Sequence, residues 1–183
     1  MIPRKRLLQL SISFLGLALL LSLFLFVGCA ARQQNVTGLP AGVTQAQVQN
    51  WDTAVAKFNE IALITSALRQ SVIALNGATI TDASGTHKIL PDSTVYVAFL
   101  QSIGKIDQAQ IDAAAFLKAQ PKNWGTSTQT TVRNDVTLIT AELQTITSQQ
   151  LTGVKNAGAV NQLQQLITQL GSAASAILAL TTS

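Results

Sequence analysis

Residues 51–75 read WDTAVAKFNEIALITSALRQSVIAL, and this stretch decides the fold class of the chain. Its core-type positions recur alternately three and four residues apart, at Trp51, Ala54, Phe58, Ile61, Thr65, Leu68, Val72 and Leu75. A period near 3.5 places all of them on one face of an α-helix. A capping-box pattern at residues 44–47 begins the helix, and Asn76-Gly77 ends it with a left-handed glycine cap. The sequence therefore predicts a helix over residues 43–76, about 50 Å long.

Three further stripes follow the first one. The second helix opens at Pro91-Asp92-Ser93 and stops at Pro121, and its stripe is Tyr96, Phe99, Ile103, Ile106, Gln110, Ala113 and Leu117. The third helix, over about 126–154, has Val132, Val136, Ile139, Leu143, Ile146 and Gln150. The fourth, over about 159–181, has Leu163, Leu166, Leu170, Ala173, Ile177 and Leu180. Four stripes joined by short turns predict an all-α fold, an antiparallel up-down bundle of about four helices.

Some features of the stripes leave alternatives open. The third and fourth helices could form one long bent helix, because neither Gly153 nor Gly158 forbids it. Gly104 weakens the second helix by up to about 1 kcal/mol relative to alanine, and it marks either a kink or a close approach between helices. The polar stripe residues would either form a buried layer that fixes the helix alignment or face a partner helix; they are Thr65, Gln110 and Gln150.

Residues 77–92 carry no helical stripe. Two short β-prone runs flank the turn Asp82-Ala83-Ser84-Gly85, which predicts a small β-hairpin inserted at 78–90. An isolated hairpin is marginal in water, so we expect this one to lean on the helices through Ile80, Ile89 and Leu90. Loops held by a rigid scaffold commonly carry binding, and the hairpin is therefore the first place where we expect a partner contact.

The N-terminus carries a membrane signal. Arg4, Lys5 and Arg6 precede residues 7–27, LLQLSISFLGLALLLSLFLFV, which contain no charged residue. This is the layout of a secretory signal peptide, although the apolar run is also long enough to remain as a transmembrane signal anchor. Basic residues stay in the cytoplasm, so both interpretations place residues 32–183 on the outer side of the membrane.

The only cysteine separates these interpretations. Phe26-Val27-Gly28-Cys29 resembles the lipobox of bacterial lipoproteins, a resemblance that covers about 30 residues, although Phe26 stands where leucine is the usual choice. It implies that a diacylglyceryl group is added to the Cys29 sulfur and that the chain is cut after Gly28. The implied location is the cell membrane or outer membrane, facing the periplasm or the exterior. No aspartate follows the cysteine, which favours the outer membrane in a host with two membranes.

Composition sets the domain plan and excludes some partners. We expect a lipoprotein signal peptide at 1–28, a flexible tether at 29–42 and the helical bundle at 43–183. Three of the 12 lysines and arginines lie in the signal, and nine remain against 8 acidic residues. The chain has no basic stripe with interleaved aromatics, so nucleic acid is not an expected partner. The surface must consist mainly of Gln, Thr, Ser and Asn. Such a surface is soluble, but copies of the protein repel one another only weakly.

Candidate chemistry is sparse. His87, Ser84 and Asp82 could form a hydrolytic set, but the same residues also read as a turn whose small polar groups bond their own backbone. One histidine and a lipidated cysteine do not make a zinc site. We therefore expect no catalytic residue, metal ligand or cofactor. Trp51 should pack in the core and Trp124 should cap one end of the bundle, unless they offer stacking platforms for sugars.

These observations predict a non-enzymatic lipoprotein with a structural, spacing or adhesive role. Its expected partners are the membrane, through lipidated Cys29, and a protein or a second copy of the chain, through the bundle. One alternative is a module that binds a small apolar ligand or lipid between helices, in a pocket lined by Phe58, Phe99 and Phe116. Another is a signal-anchored inner-membrane protein with the same exported bundle, and a third is an enzyme that uses His87.

Overall fold

A computed structural model of the protein describes residues 39, 42–83 and 85–182. The predicted signal and lipidation residues lie outside this part of the chain; they are Arg4, Lys5, Arg6, Gly28 and Cys29. Most of the predicted tether and Ser84 of the predicted turn also lie outside it. Cleavage, acylation and the tether therefore stay predictions.

The described chain forms a four-helix bundle with a small hairpin. The helices are α1, α2, α3 and α4, at Gln45–Gly77, Ser93–Ala119, Thr126–Thr145 and Ala157–Leu180. Strands β1 and β2, at Thr79–Asp82 and Gly85–Lys88, pair antiparallel between α1 and α2. Each helix packs against its neighbours in sequence, and α4 closes the bundle against α1. The predicted all-α bundle with an inserted hairpin is confirmed.

Helix α1 follows the stripe read from the sequence. Six of the eight stripe residues are buried, while Trp51 and Leu75 at its ends are partly buried. Thr44 and Gln47 form the predicted capping box, with Thr44 Oγ1 accepting from Gln47 N at 3.2 Å and Gln47 Oε1 accepting from Thr44 N at 2.8 Å. This reciprocal pair satisfies two N–H groups that a helix start leaves unpaired.

The predicted left-handed cap at Gly77 is wrong. Among the glycines of the described ranges, only Gly42 and Gly85 have positive φ. The helix ends instead at Ala78, which has an extended backbone and donates its N–H to the Leu75 carbonyl oxygen at 3.2 Å. An extended residue is needed there because the chain enters β1 directly after the helix.

The other helices also bury the predicted faces. All six residues of the third stripe are buried, and in α2 only Tyr96 and Gln110 are partly exposed. Helix α2 runs unbroken through Gly104, and a Cβ built there would meet nothing within 4 Å. The predicted close approach of helices at Gly104 is therefore wrong.

Helices α3 and α4 are separate elements, not one bent helix. Helix α3 passes into a π-helix at Ile146–Gln150 and a 3₁₀ turn at Leu151–Gly153, and the chain is then extended at Val154. Asn156 opens α4, its Oδ1 accepting from the Ala159 N–H at 2.9 Å. A π-helix widens the turn by one residue, and it keeps both Ile146 and Gln150 in the core.

Helix α3 is also lined with back-bonded hydroxyl groups. Thr130, Thr137, Thr140 and Thr145 each donate to the backbone carbonyl oxygen four residues earlier, at 2.8 to 3.1 Å. Thr147 and Ser148 continue the pattern in the π-helix. Such bonds satisfy the hydroxyl groups locally, at a small cost in helix regularity.

Helix α4 is the one described helix that is long and apolar enough to cross a membrane, by length and composition alone. Its apolar residues are not all exposed to the surroundings, however. One face packs in the bundle core, through Leu163, Ile167, Leu170, Ala173, Ala174 and Ile177. The exposed face includes Asn161, Gln162 and Gln165. These are the features of a core helix in a bundle.

Candidate functional site

The hairpin stands at one end of the bundle, where α1 ends and α2 begins. Two hydrogen bonds hold its base: Ile89 N donates to the Ala78 carbonyl oxygen at 3.0 Å, and Lys155 N donates to the Ile89 carbonyl oxygen at 2.8 Å. Ile89 and Leu90 are buried in the main core, and Ile80 packs against it. The predicted anchoring through these three residues is confirmed. The hairpin is thus fixed to both connections at this end, between α1 and α2 and between α3 and α4.

Within the hairpin, the register places the Asp82 and His87 side chains near one another. Ile80 pairs with His87 and Asp82 pairs with Gly85, whose φ of +126° favours glycine. Ile80, Asp82 and His87 therefore share one face of the two strands. The distance from His87 Nε2 to Asp82 Oδ1 is 3.7 Å, and about half of each side chain is exposed.

The structure thus brings together two of the three residues of the candidate hydrolytic set. Asp82 and His87 lie on the exposed face of the hairpin, while Ser84 lies outside the described residues. Asp82 and Gly85 are paired across the tip, as a tight turn at residues 82–85 requires. The exposed pair at 3.7 Å is longer than a hydrogen bond, and it gives His87 the environment of a surface residue.

A groove of about 530 Å³ runs beside the hairpin. Its lining combines two apolar residues with a set of polar and charged ones: Ile80, Pro91, Asp82, Thr86, His87, Lys88 and Lys155. Three consecutive residues of β2 line this groove. Because Ile80, Asp82 and His87 share one face of the hairpin, the groove lies over that face, and Thr86 and Lys88 extend its lining to the outer edge of β2. We call this feature the tip groove.

The tip groove contains two lysines without an acidic partner. Elsewhere in the described chain, Lys57 pairs with Glu60 at 2.7 Å and Lys105 with Glu142 at 2.8 Å, whereas Lys118 and Lys122 at the opposite end also have no carboxylate within 4.0 Å among the described residues. In that same part of the chain, no carboxylate lies within 4.0 Å of Lys88 or Lys155. The groove therefore has an excess of positive charge over its one carboxylate, Asp82.

Sequence reasoning missed Lys155 and Pro91 as members of this site. The sequence places Pro91 at the start of the second predicted helix and Lys155 between the third and fourth predicted helices. Only the tertiary bond from Lys155 N to the Ile89 carbonyl oxygen brings residue 155 to the hairpin. No local pattern in the sequence signals a contact across 66 residues.

A second groove, of about 590 Å³, lies between α3, the π-helix and α4. It has an apolar part and an uncharged polar part, formed by Leu143, Ile167, Gly171, Thr140, Gln144, Thr147, Ser148 and Ser175. A π-helix frequently marks a functional site, but this lining contains no ionisable group. It offers hydroxyl and amide groups only.

The phenylalanines of the predicted apolar pocket lie elsewhere. Phe58 and Phe99 are 1% and 0% exposed and fill the bundle core, and Phe116 is partly buried. None of the three lines either groove. Their positions account for packing, and they do not enclose a ligand space in the described chain.

The two tryptophans close the end of the bundle opposite the hairpin. Trp124 is 1% exposed and donates its indole N–H to the Leu180 carbonyl oxygen at 3.0 Å. Trp51 is partly buried and donates to the Leu117 carbonyl oxygen at 3.2 Å. The predicted capping by Trp124 is confirmed, and its buried ring has no face open for stacking on a sugar.

A buried polar contact joins α2 to the π-helix. Gln150 Nε2 donates to Ser102 Oγ at 2.9 Å and to the Ala98 carbonyl oxygen at 3.2 Å, while its Oε1 has no partner in the described chain. Thr65, also buried, donates to the Ile61 carbonyl oxygen at 2.7 Å. Of the predicted polar layer, Thr65 and Gln150 are buried and Gln110 is only partly buried; Gln150 bonds across to α2, whereas Thr65 bonds only within its own helix.

Two aspartates at helix seams have raised pKa values. Burial raises the pKa of Asp135, and the nearby carboxylate of Asp112 raises it further. Burial also raises the pKa of Asp107, against the opposing effect of its ion-pair partner Arg69. In the ranges that the structure describes, no group of three His, Cys, Asp or Glu residues is placed to hold a metal ion.

Comparisons with known proteins add no assignment. No protein-family model, curated protein or solved structure matches this chain. The tip groove is the described feature that combines an open backbone edge, unpaired charge and a rigid support. It is therefore the candidate functional site.

Proposed function

We propose that this protein is a lipid-anchored, non-enzymatic spacer that holds a partner-binding tip away from a membrane. The anchor is the acylated Cys29 that the lipobox resemblance implies, and the tip is the hairpin with its groove. One observation carries the proposal: α1 begins next to the N-terminal tether and ends at the hairpin 33 residues later. At 1.5 Å per residue, the two ends are separated by about 50 Å.

The packing of the bundle supports a spacing role. A spacer must keep its two ends at a fixed distance, so the ends must not move independently. The core stripe runs the length of each helix, the contact from Gln150 to Ser102 fixes α2 against the π-helix, and Ile89 and Leu90 fix the hairpin. The tip is thus held by the same core that holds the helices.

The proposed location is the cell membrane or outer membrane, with the bundle facing the periplasm or exterior. Attachment through the N-terminus is favoured over insertion of α4, because α4 contributes seven buried residues to the bundle. Insertion of this helix into lipid would remove one of the four walls of the core. The proposal therefore leaves the bundle intact in the aqueous phase.

Intact mass of the protein extracted from membranes tests the anchor. We expect a chain that begins at residue 29 and carries the mass of attached lipid, and we expect Cys29→Ser to abolish both the cleavage and the lipid. A full-length chain without added mass would overturn the lipid anchor. Residues 7–27 would then be a transmembrane signal anchor for the same outward bundle.

Fluorescence transfer to a membrane dye tests the spacing. Since acylation blocks the only native thiol, a label can be placed on Ala83→Cys in the hairpin turn or on Gln120→Cys at the opposite end. We expect strong transfer from position 120 and weak transfer from position 83, which lies about 50 Å farther along the bundle. Equal transfer from both would show a bundle lying flat and would contradict the spacer.

A further inference from the structure

We infer that the open edge of β2 takes an extended, acidic segment of a partner polypeptide as a third strand. The inference rests on the proposed function, because it names the partner chemistry of the same tip. Three observations carry it: the unpaired strand edge, the groove on the adjoining face that reaches that edge, and the charge of the groove.

The strand edge is available for pairing. The bond from Ile89 N to the Ala78 carbonyl oxygen identifies these two residues as a hydrogen-bonded pair of the ladder. Because such pairs alternate along an antiparallel ladder, Ile80 and His87 form the next one. Thr86 and Lys88 then direct their backbone N–H and C=O groups away from β1. The sheet has only two strands among the described residues, so these groups face no other strand.

The groove gives the incoming segment a place to lie. It lies over the hairpin face formed by Ile80, Asp82 and His87, and Thr86 and Lys88 extend its lining to the outer edge of β2. Its volume of about 530 Å³ is that of an ordinary ligand cleft. Addition of a strand to an exposed sheet edge is a recurring mode of peptide recognition, in which the backbone supplies affinity and flanking side chains supply specificity.

The positive charge of the groove favours an acidic partner segment over a basic one. Among the described residues, no carboxylate lies within 4.0 Å of Lys88 or Lys155, and the one acidic residue of the groove, Asp82, lies 3.7 Å from His87. A carboxylate from the partner would therefore meet two cations whose charge is not compensated. A basic segment would meet the same two lysines with a like charge.

The same features favour a polypeptide over a polyanion without amide groups. Phosphate recognition is best served by the bidentate arginine fork, but both described arginines are engaged elsewhere, Arg69 with Asp107 and Arg133 with Thr181. The groove offers lysines and an exposed backbone edge. Only a polypeptide can use that edge as a ladder partner.

Peptide binding to the full, membrane-extracted protein tests the inference. The probe is an eight-residue labelled peptide of alternating glutamate and valine, and its counterpart has lysine in place of glutamate. We expect the acidic peptide alone to bind. The double variant Lys88→Gln, Lys155→Gln should weaken binding about fivefold or more, as expected for two exposed ion pairs. The matched control Lys118→Gln, Lys122→Gln, at the opposite end, should leave binding unchanged.

A second pair of variants tests the strand edge. Lys88→Gln removes the charge, and Lys88→Pro removes the charge together with the outward N–H that the third strand needs. Proline is tolerated at such an edge position, and continued protection of the His87 amide against hydrogen exchange would show that the hairpin ladder is intact. We expect the proline variant to bind at least tenfold more weakly than the glutamine variant.

Three results would overturn the inference. They are failure of the acidic peptide to bind, equal binding by the proline and glutamine variants, and binding of inorganic polyphosphate with the same dependence on Lys88 and Lys155. The last two would indicate a simple anion site. None of them would alter the mass of the anchored chain or the height of the tip above the membrane, so the spacer proposal would stand or fall separately.

Discussion

The two ends of the bundle are closed in opposite ways. At the end where α1 begins, which the predicted tether would join, Trp124 and Trp51 donate indole N–H groups to the carbonyl oxygens of Leu180 and Leu117. Arg133 donates to the carbonyl oxygen of Thr181 at the same end. At the other end, a hairpin with exposed strands leaves an open strand edge and a groove whose lining includes two lysines.

The tryptophan end of the bundle therefore mainly stabilises the fold, and the hairpin end carries the candidate binding site. The last carbonyl groups of a helix have no intrahelical partner, and at the tether end large side chains satisfy several of them while filling the core. At the hairpin end, the buried contacts stop at Ile89 and Leu90, and the strands beyond them remain in water. Substitutions at the first end should therefore change global stability, and those at the second should change local order or binding.

The largest effect is expected at Trp124. Replacement by alanine removes a buried indole and its hydrogen bond to the Leu180 carbonyl, and should lower the free energy of unfolding by about 3–5 kcal/mol. Trp124→Phe keeps most of the volume and should cost less. Urea unfolding followed by circular dichroism measures both. A loss below about 1 kcal/mol for the alanine variant would show that Trp124 contributes little to the stability of the fold.

The next effect is expected at Gly153, beside the hairpin end. A Cβ at this position would lie 2.7 Å from Val95 Cγ1 and 2.9 Å from Val95 Cγ2, so Gly153→Ala should cost about 1–3 kcal/mol. Val95→Ala in the same chain should restore part of that loss. The matched control is Gly104→Ala, where nothing lies within 4 Å and helix propensity favours alanine by up to about 1 kcal/mol. Thermal unfolding of the three variants separates the steric clash with Val95 from the effect of helix propensity.

A more local effect, confined to the hairpin, is expected at Gly85. Its φ of +126° strains any residue with a Cβ, so Gly85→Ala should destabilise the folded hairpin by about 1–3 kcal/mol. Hydrogen exchange should become faster at the amides of β1 and β2, with little change in the core of α1. Equal acceleration throughout the bundle would show that the hairpin and the core unfold together, which would remove the contrast between the two ends.

The smallest effect is expected at Asp135, on a seam midway between the ends. Burial and Asp112 raise its pKa, so the folded chain holds the proton more readily than the unfolded chain does. Stability is therefore lost as the pH rises from about 4 through the raised value. Asp135→Asn removes that loss and should stabilise the protein at pH 7 by less than about 1 kcal/mol, because solvent screens the site.

Unfolding at two pH values checks this sign. The stability gain of Asp135→Asn should disappear below about pH 4, where the wild-type carboxyl group is protonated in both states. Asp92→Asn serves as the opposite control, because hydrogen bonds from Thr94 lower the pKa of Asp92. Its carboxylate stabilises the fold above the unfolded pKa and ceases to do so in acid. A gain for Asp135→Asn that persists at low pH would indicate a cause other than the charge.

The sequence was sufficient for the elements that local periodicity governs. The stripes of α1 and α3 and the pairing of residues around Asp82 and Gly85 follow from the spacing of side chains and the turn residues. It was not sufficient for the π-helix, since Ile146 and Gln150 fit the regular stripe equally well. Nor did Asn76-Gly77 reveal that the helix passes straight into a strand.

The candidate site was predictable only in part. The hairpin and its apolar anchors are local and were predicted, whereas the approach of Lys155 to Ile89 depends on how the α3–α4 connection folds over the bundle end. The partner of Gln150 was missed for the same reason, because Ser102 lies 48 residues away on another helix. Contacts of this kind are set by topology, and side-chain spacing does not encode them.

The scarcity of charge on the helices has a consequence for copies anchored side by side. Residues 43–182 contain eight lysines and arginines against eight aspartates and glutamates, and many exposed polar groups are hydroxyl groups bonded to their own helix, as in α3. Neighbouring bundles would therefore experience little electrostatic repulsion, and ionic strength would hardly change their spacing. In the proposed anchored state, a dense layer of such molecules would form a brush without net charge, with the lysine-bearing grooves at its outer surface.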